Sequence, residues 1–154
     1  MEYLSPVIDR TQADVINRTT KGFFNVSDWA RIANNIRIMY ADVKRIHGAS
    51  VPALSEMPEM IITSIPTAED FRALVGNIER TRIAAKFLNT SGQGLFYQFT
   101  AGGKSFGFGE VNDWERMIDR IYRRYAPLTT ARYERVGVAS CGAGMTRGNR
   151  FRGG

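Results

Sequence analysis

Hydrophobic residues recur at intervals of three and four positions in two long segments, each of which begins at a tryptophan. In the first segment the apolar positions are Trp29, Ile32, Ala33, Ile36, Met39, Tyr40, Val43 and Ile46. In the second they are Trp114, Met117, Ile118, Ile121, Tyr122 and Tyr125. This spacing is typical of amphipathic helices. Glycine and proline commonly end helices, so the first helix is predicted to end at Gly48 and the second at Pro127.

The two predicted helices are copies of one sequence motif. Residues 26–40 recur as residues 111–125, at an offset of 85 positions, with Val, Asp, Trp, Arg, Ile and Tyr coinciding. Both tryptophans of the protein lie in this motif. Because equivalent sequences are expected to pack equivalently, both tryptophans are predicted to be largely buried in the core.

Each copy of the motif also carries the signals of a helix start. Ser27 and Asn112 are predicted N-caps. Asp28 and Asp113 then fall in the first turn, where the helix dipole favours a carboxylate. In the second copy Glu115 is expected to complete a capping box with Asn112.

A shorter predicted helix precedes each long one. The first begins at Thr11 and runs to about residue 20, and the second begins at Thr67 and runs to about Phe87. In both, the threonine is the predicted cap and a carboxylate follows in the first turn. The pattern therefore predicts a mainly α domain with a small β part, built as a duplicated helical hairpin of four helices.

The connections between the helices supply the predicted β structure. Residues 88–110 alternate aromatic residues with glycines and predict a β-hairpin insert. Residues 60–63 are a possible short strand, and residues 131–138 alternate enough to predict another. The predicted organisation is a helical domain over residues 1–127 and an extended, basic, Gly/Arg-rich C-terminal arm over residues 128–154.

The net charge of +6 is confined to the last quarter of the 154-residue chain. Residues 1–114 hold 12 basic and 12 acidic residues, whereas residues 115–154 hold 9 arginines and 3 acidic residues. Arginine forms bidentate contacts with carboxylates and phosphates. The C-terminal quarter is therefore predicted to bind an acidic protein surface. Nucleic-acid binding is the alternative, because arginine interleaved with tyrosine suits phosphate contact and base stacking.

The sequence contains no convincing catalytic constellation. Its one cysteine, Cys141, and one histidine, His47, exclude an internal disulfide framework and a multi-cysteine zinc site. Asp28 and Asp113 are interpreted as helix-surface ion pairs with the arginines three residues later, rather than as a catalytic pair. We therefore expect no enzymatic activity, cofactor or metal. Neither a membrane span nor a secretory signal peptide is expected, because the required apolar segments are missing.

Two adjacent stretches of the sequence resemble a known family. The first is Pro6-Val7-Ile8-Asp9-Arg10-Thr11-Gln12-Ala13-Asp14-Val15, and the second is Lys21-Gly22-Phe23-Phe24-Asn25-Val26-Ser27-Asp28-Trp29-Ala30-Arg31-Ile32. Together they resemble a module of tailed-bacteriophage and prophage virion proteins, which pairs D-R-T-x-x-D-V with F-N-x-x-D-hydrophobic-x-R-I. The resemblance implies a structural subunit of a tail, baseplate or fibre attachment in phages of Gram-positive hosts. It also implies synthesis in the bacterial host cytoplasm, a final place in the virion, and contacts with other virion proteins and copies of itself.

Ten residues are predicted to make the assembly contacts. They are Phe96, Tyr97, Phe99, Phe106 and Phe108 of the β-hairpin insert, and Arg132, Arg135, Arg147, Arg150 and Arg152 of the C-terminal arm. A lone hairpin is marginal in water, and so many aromatic side chains would form an unusually adhesive patch. The arginines are expected to order against carboxylates of a partner.

Overall fold

The computed structural model describes residues 1–86 and 107–142 of the chain. It contains the helices α1 (Gln12–Ile16), α2 (Val26–His47), α3 (Ala68–Ala84) and α4 (Phe108–Gly142), with 3₁₀ turns at Thr20–Gly22 and Gly48–Ser50. The prediction of a mainly helical protein with four helices is confirmed, and the described residues form no strand. The predicted β-hairpin falls mostly on residues 88–106, outside the described residues.

The N-terminal parts of α2, α3 and α4 meet at one end of the molecule. The ring centroids of Trp29 in α2 and Phe71 in α3 are 5.7 Å apart, and those of Phe71 and Trp114 in α4 are 6.3 Å apart. Trp29 and Phe71 meet edge to face, an arrangement that aromatic rings prefer. We refer to this region as the N-terminal end of the bundle.

The last residues of α2 and the residue after α3 meet the middle of α4, away from the N-terminal end of the bundle. The hydroxyl of Tyr125 lies 2.9 Å from Nε2 of His47 and donates a hydrogen bond of 2.9 Å to the carbonyl of Ala85. The three long helices therefore run parallel. Because α3 and α4 run in the same direction, they do not form the predicted hairpin.

Parallel helices explain the long connections. The 17 residues of α3 span about 25 Å. A chain that leaves the C-terminal end of α2 or α3 must return over a similar distance before the next helix can begin beside it. Short loops serve only antiparallel neighbours.

The core lies along the facing stripes of α2, α3 and α4. Trp29 is 2% exposed and Trp114 is 0% exposed, so the prediction that both tryptophans are buried is confirmed. Trp29 is the fourth residue of α2, whereas Trp114 is the seventh of α4, so the repeat does not begin its two helices at the same position. Other fully enclosed side chains are Ile32, Ile36, Met39, Val43, Leu74, Ile78 and Ile121.

Helix α2 begins two residues earlier than its predicted cap implied. The N-cap is Asn25, whose side chain accepts hydrogen bonds from the backbone N–H groups of Ser27 and Asp28. The carboxylate of Asp28 accepts from the N–H of Asn25, which completes a capping box. The prediction of Ser27 as the cap is therefore wrong. The predicted end is confirmed, because Gly48 follows the helix with a φ of 64°.

Helix α4 differs more from its prediction. It begins at Phe108, and a Glu110 carboxylate oxygen accepts from the N–H of Gly107 at 3.0 Å. Asn112 and Glu115 lie inside the helix and are buried, so their predicted capping role is wrong. The helix also continues through Pro127 to Gly142, so the prediction that it ends at Pro127 is wrong.

Three further predicted elements have different outcomes. Helix α4 includes residues 131–138, where a strand was predicted, and it therefore crosses the predicted boundary at residue 127. Helix α1 begins after Thr11 as predicted but ends at Ile16. Helix α3 begins after Thr67 as predicted and ends at Ala84, close to the predicted end.

Buried asparagines hold the irregular segments against the helices. Each accepts a hydrogen bond from the backbone N–H of one residue and donates to the carbonyl of the same residue. The pairs are Asn35 with Leu4, Asn112 with Arg10, and Asn77 with Ser55. These backbone groups have no hydrogen-bond partner within a helix. Buried backbone N–H and C=O groups need such partners, and the asparagine side chains supply them.

Gly22 is required by a close backbone approach. A Cβ atom at this position would clash with the backbone carbonyl of Asp14. We expect Gly22→Ala to lower the free energy of unfolding by about 1–3 kcal/mol, the usual cost of overpacking. The matched control is Gly109→Ala, whose Cβ would meet nothing within 4 Å. Urea denaturation followed by circular dichroism tests both variants, and equal stability of the two would contradict the prediction.

Candidate interaction surfaces

Three charged side chains, those of Arg10, Asp28 and Glu115, converge in the interior rather than on a surface. Arg10 is 4% exposed, Asp28 is 5% exposed and Glu115 is 1% exposed. Nη2 of Arg10 lies 2.7 Å from Oδ1 of Asp28 and 3.0 Å from Oε1 of Glu115. The N-terminal segment, α2 and α4 are thereby joined by one guanidinium.

Arg31 is the second cation of this cluster. Its Nη2 lies 2.5 Å from Oδ1 of Asp28 and 2.8 Å from Oε1 of Glu115, and its Nε donates to Oε2 of Glu115 at 3.0 Å. The N–H of Val7 donates to the same Oε2 at 2.9 Å. We call Arg10, Asp28, Arg31 and Glu115 the buried ionic network. Its two positive and two negative charges cancel, which buried ions require.

Each copy of the repeat contains the same Asp–Arg ion pair, but the two pairs differ in burial. The predicted pairs Asp28–Arg31 and Asp113–Arg116 are both confirmed, the second at 3.1 Å. The side chains of Asp113 and Arg116 are 40% and 52% exposed, whereas that of Asp28 is 7% exposed. The first pair is therefore part of the core and the second is a solvated helix surface.

Asp42 is a buried carboxylate outside the network. It accepts long hydrogen bonds from the Thr129 hydroxyl at 3.4 Å and from Arg45 at 3.5 Å. Burial raises the pKa of Asp42 above its ordinary value. The folded state therefore holds a proton that the unfolded state releases as pH rises above about 4. The contribution of Asp42 to stability must fall as pH rises from there through its folded pKa.

We expect Asp42→Asn to raise the melting temperature at neutral pH, because the cost of an ionised buried carboxylate disappears. The gain should shrink as pH falls below the folded pKa, where wild-type Asp42 is protonated as well. Melting curves at a series of pH values test this, with Asp113→Asn as a partly exposed control. A gain that grows towards acidic pH would contradict the prediction.

Three strongly exposed apolar side chains stand within five residues of one another in the connection between α2 and α3. Ile61 is 62% exposed, Ile62 is 93% exposed and Ile65 is 87% exposed. The predicted short strand over residues 60–63 is wrong. A turn forms instead, in which the N–H of Ser64 donates to the carbonyl of Ile61 at 2.8 Å and the Ser64 hydroxyl accepts from the N–H of Ile61 at 3.0 Å.

A cavity of about 640 Å³ opens beside these isoleucines at the N-terminal end of the bundle. Its apolar lining residues are Phe24, Val26, Trp29, Met60, Ile62, Pro66 and Phe71. We call this cavity together with Ile61, Ile62 and Ile65 the isoleucine patch. Contiguous exposed apolar surface of this kind marks sites of protein contact.

Acidic residues stand close to the isoleucine patch in the sequence. Between Arg45 and Arg72 the chain has four acidic residues and no lysine or arginine. Glu56, Glu59 and Glu69 are exposed, and none of the three forms a salt bridge within the described part of the chain. Glu59 directly precedes the lining residue Met60, and Glu69 stands two residues before Phe71. The chain beside the patch is therefore acidic, and we call these carboxylates its acidic rim.

The opposite charge lies along α4. Its exposed arginines are Arg116, Arg120, Arg123 and Arg124. Arg116 pairs with Asp113, and Nε of Arg123 lies 2.7 Å from Asp119. Ile121 and Tyr125 of the same stretch are buried, so the tyrosine is not available for base stacking.

Most of the ten residues that were predicted to make assembly contacts lie outside the described part of the chain. Phe96, Tyr97, Phe99, Phe106, Arg147, Arg150 and Arg152 lie outside the described residues. Arg132 and Arg135 lie in the helical backbone of α4. Phe108 is half-buried and lines a second cavity of about 340 Å³, beside Gly22 and Val111.

The sequence analysis missed the isoleucine patch and the role of Glu115. A signal for the patch was present, because Ile61, Ile62 and Ile65 stand between two prolines with no helical or strand periodicity. The signal for Glu115 was weaker. It occupies a position that looks like a helix cap in the sequence, and only the packing of Arg10 and Arg31 against α4 shows that it is buried.

Comparisons and searches for common sites give negative findings. Among the described residues, no group of three His, Cys, Asp or Glu side chains is placed to hold a metal ion. In the same part of the chain, no helix has the length and apolar character needed to cross a membrane. Comparison with protein families, curated proteins and solved structures finds no match to this chain.

Proposed function

We propose that this protein is a non-enzymatic structural subunit of a bacteriophage tail, baseplate or related virion assembly, acting through protein–protein contacts. The observation that carries the assembly role is the isoleucine patch. Three isoleucines within five residues are each more than 60% exposed beside an apolar cavity. A partner that covered them would remove apolar surface from water, which is the main driving force of association.

The buried ionic network supports the virion assignment in a second way. The residues that carry the likeness to phage modules include Arg10, Asp28 and Arg31, and these side chains contact one another. Their shared role is therefore to join the N-terminal segment to α2 and α4. A motif that preserves a fold in this way suits a structural module better than a catalytic one.

The test is whether the chain is part of particles. Virions or tail-like particles from the encoding phage or prophage are purified through a density gradient, treated with nuclease and washed with salt. We expect the chain to remain with the particles at a stoichiometry of several copies. A chain found only in the soluble fraction, with normal particles formed after its gene is deleted, would overturn the proposal.

A nucleic-acid-binding module is the second candidate. The exposed arginines of α4 favour it, since four of them lie within nine residues. The acidic partners of Arg116 and Arg123 count against it. A gel shift at two salt concentrations separates the candidates, because phosphate contacts weaken steeply with salt. Binding that is lost at the higher salt and in Arg120→Glu would favour the nucleic-acid role.

A further inference from the structure

The isoleucine patch and the end of α4 lie far apart in the molecule. The patch includes Phe71, whose ring centroid is 6.3 Å from that of Trp114. Gly142 follows Trp114 by 28 residues of continuous helix. At the rise of an α-helix this separation is about 42 Å.

The sequence beyond α4 complements the patch in charge and contains an aromatic side chain that could enter an apolar cavity. Residues 143–154 contain three arginines and no acidic residue. Their one aromatic residue is Phe151, which stands between Arg150 and Arg152. A phenyl ring suits the apolar cavity, and guanidinium groups form strong hydrogen bonds with carboxylates such as those of the rim.

This complementary segment is too short to reach the patch of its own chain. Phe151 follows Gly142 by nine residues. Nine residues span at most about 32 Å when fully extended. The distance back along α4 from Gly142 to the patch is longer than this reach. Phe151 therefore cannot contact the patch of its own chain, and the contact requires a second copy.

We propose that residues 147–152 of one copy bind the isoleucine patch of the next copy, head to tail. Phe151 enters the cavity, and the flanking arginines meet Glu59 and Glu69 on the rim. Such a contact joins two different surfaces, so it continues into a row or closes into a ring. The inference rests on the proposed assembly role and deepens it by naming the contact between copies.

The test is a charge exchange between two full-length variants. The patch variant carries Glu59→Arg and Glu69→Arg, and the tail variant carries Arg150→Glu and Arg152→Glu. Sedimentation velocity over a concentration series measures self-association of each protein alone and of their equimolar mixture. We expect wild-type protein to self-associate, and each variant alone to associate at least tenfold more weakly.

The mixture is the decisive measurement. In it, the reversed patch meets the reversed tail, and the native patch meets the native tail, so association should return to within about threefold of wild type as alternating copies. Glu2→Arg reverses an exposed carboxylate outside the patch and should leave association unchanged. Phe151→Ala and Ile62→Ser should each weaken association. Ile62→Ser should do so without unfolding the protein, because Ile62 is 93% exposed.

Several results would overturn the inference. These are a wild-type protein that stays monomeric at every concentration, self-association that survives in the tail variant, and a mixture that fails to reassociate. The outcome is separable from that of the proposed function. A chain that is present in purified particles but does not self-associate contradicts this contact and leaves the virion role in place.

Discussion

Asp28→Asn is expected to lower the free energy of unfolding by about 3 kcal/mol or more, because breaking a buried ion pair leaves an uncompensated charge in the interior. Asp28 is 5% exposed and contacts Arg10 at 2.7 Å. Asparagine has the same shape and keeps an oxygen that accepts from the N–H of Asn25. The substitution therefore removes the charge and spares the helix cap. Urea denaturation followed by far-UV circular dichroism measures the loss.

The internal repeat supplies the control for this prediction. Asp113→Asn alters the equivalent residue of the second copy, whose side chain is 40% exposed and pairs with Arg116 at 3.1 Å. Exposed pairs contribute about 0–1 kcal/mol, so this variant should differ little from wild type. Similar small losses in both variants would mean that the buried ionic network does not stabilise the fold.

Trp29→Ala is expected to lower the free energy of unfolding by about 3–5 kcal/mol, the range for deleting a buried aromatic side chain. Trp29 is 2% exposed, packs edge to face on Phe71, and donates from Nε1 to the carbonyl of Pro58 at 2.9 Å. A loss of this size is a large part of a domain's stability. Chemical denaturation of the full-length chain measures it.

Two further substitutions serve as controls for Trp29→Ala. Phe23→Ala removes an aromatic side chain that is 49% exposed and should cost much less. Trp29→Phe keeps a ring in the core but loses the hydrogen bond to Pro58, so its cost should fall between the other two. If Phe23→Ala were as damaging as Trp29→Ala, the core would not lie where the structure has it.

The local pattern predicted the helices well where capping and periodicity agree. For α2 and α3, an apolar stripe, a capped start and a glycine or a change of composition at the end all indicate the same bounds. For α4 they conflict. Pro127 indicates a stop, yet the helix continues, because proline costs one hydrogen bond and packing on α2 and α3 can offset that loss.

The buried asparagines show which contacts cannot be predicted from the sequence. Asn35 and Asn77 lie on apolar stripes, where a polar residue signals a buried partner. The partner is the backbone of Leu4 for one and of Ser55 for the other. Periodicity identifies the face on which a side chain lies, but it does not identify which distant segment contacts that face.

The sequence by itself determined the helical class, the repeat, the burial of both tryptophans and the concentration of positive charge near the C-terminus. These properties depend on spacing and composition, which act over a few turns of helix. Only the tertiary structure decided that the helices run parallel, that Glu115 joins Arg10 and Arg31 in the core, and that Ile61, Ile62 and Ile65 stay exposed. The physical reason is that an amphipathic stripe specifies which face is buried without specifying its direction or its partner, and those follow from packing between residues far apart in the chain.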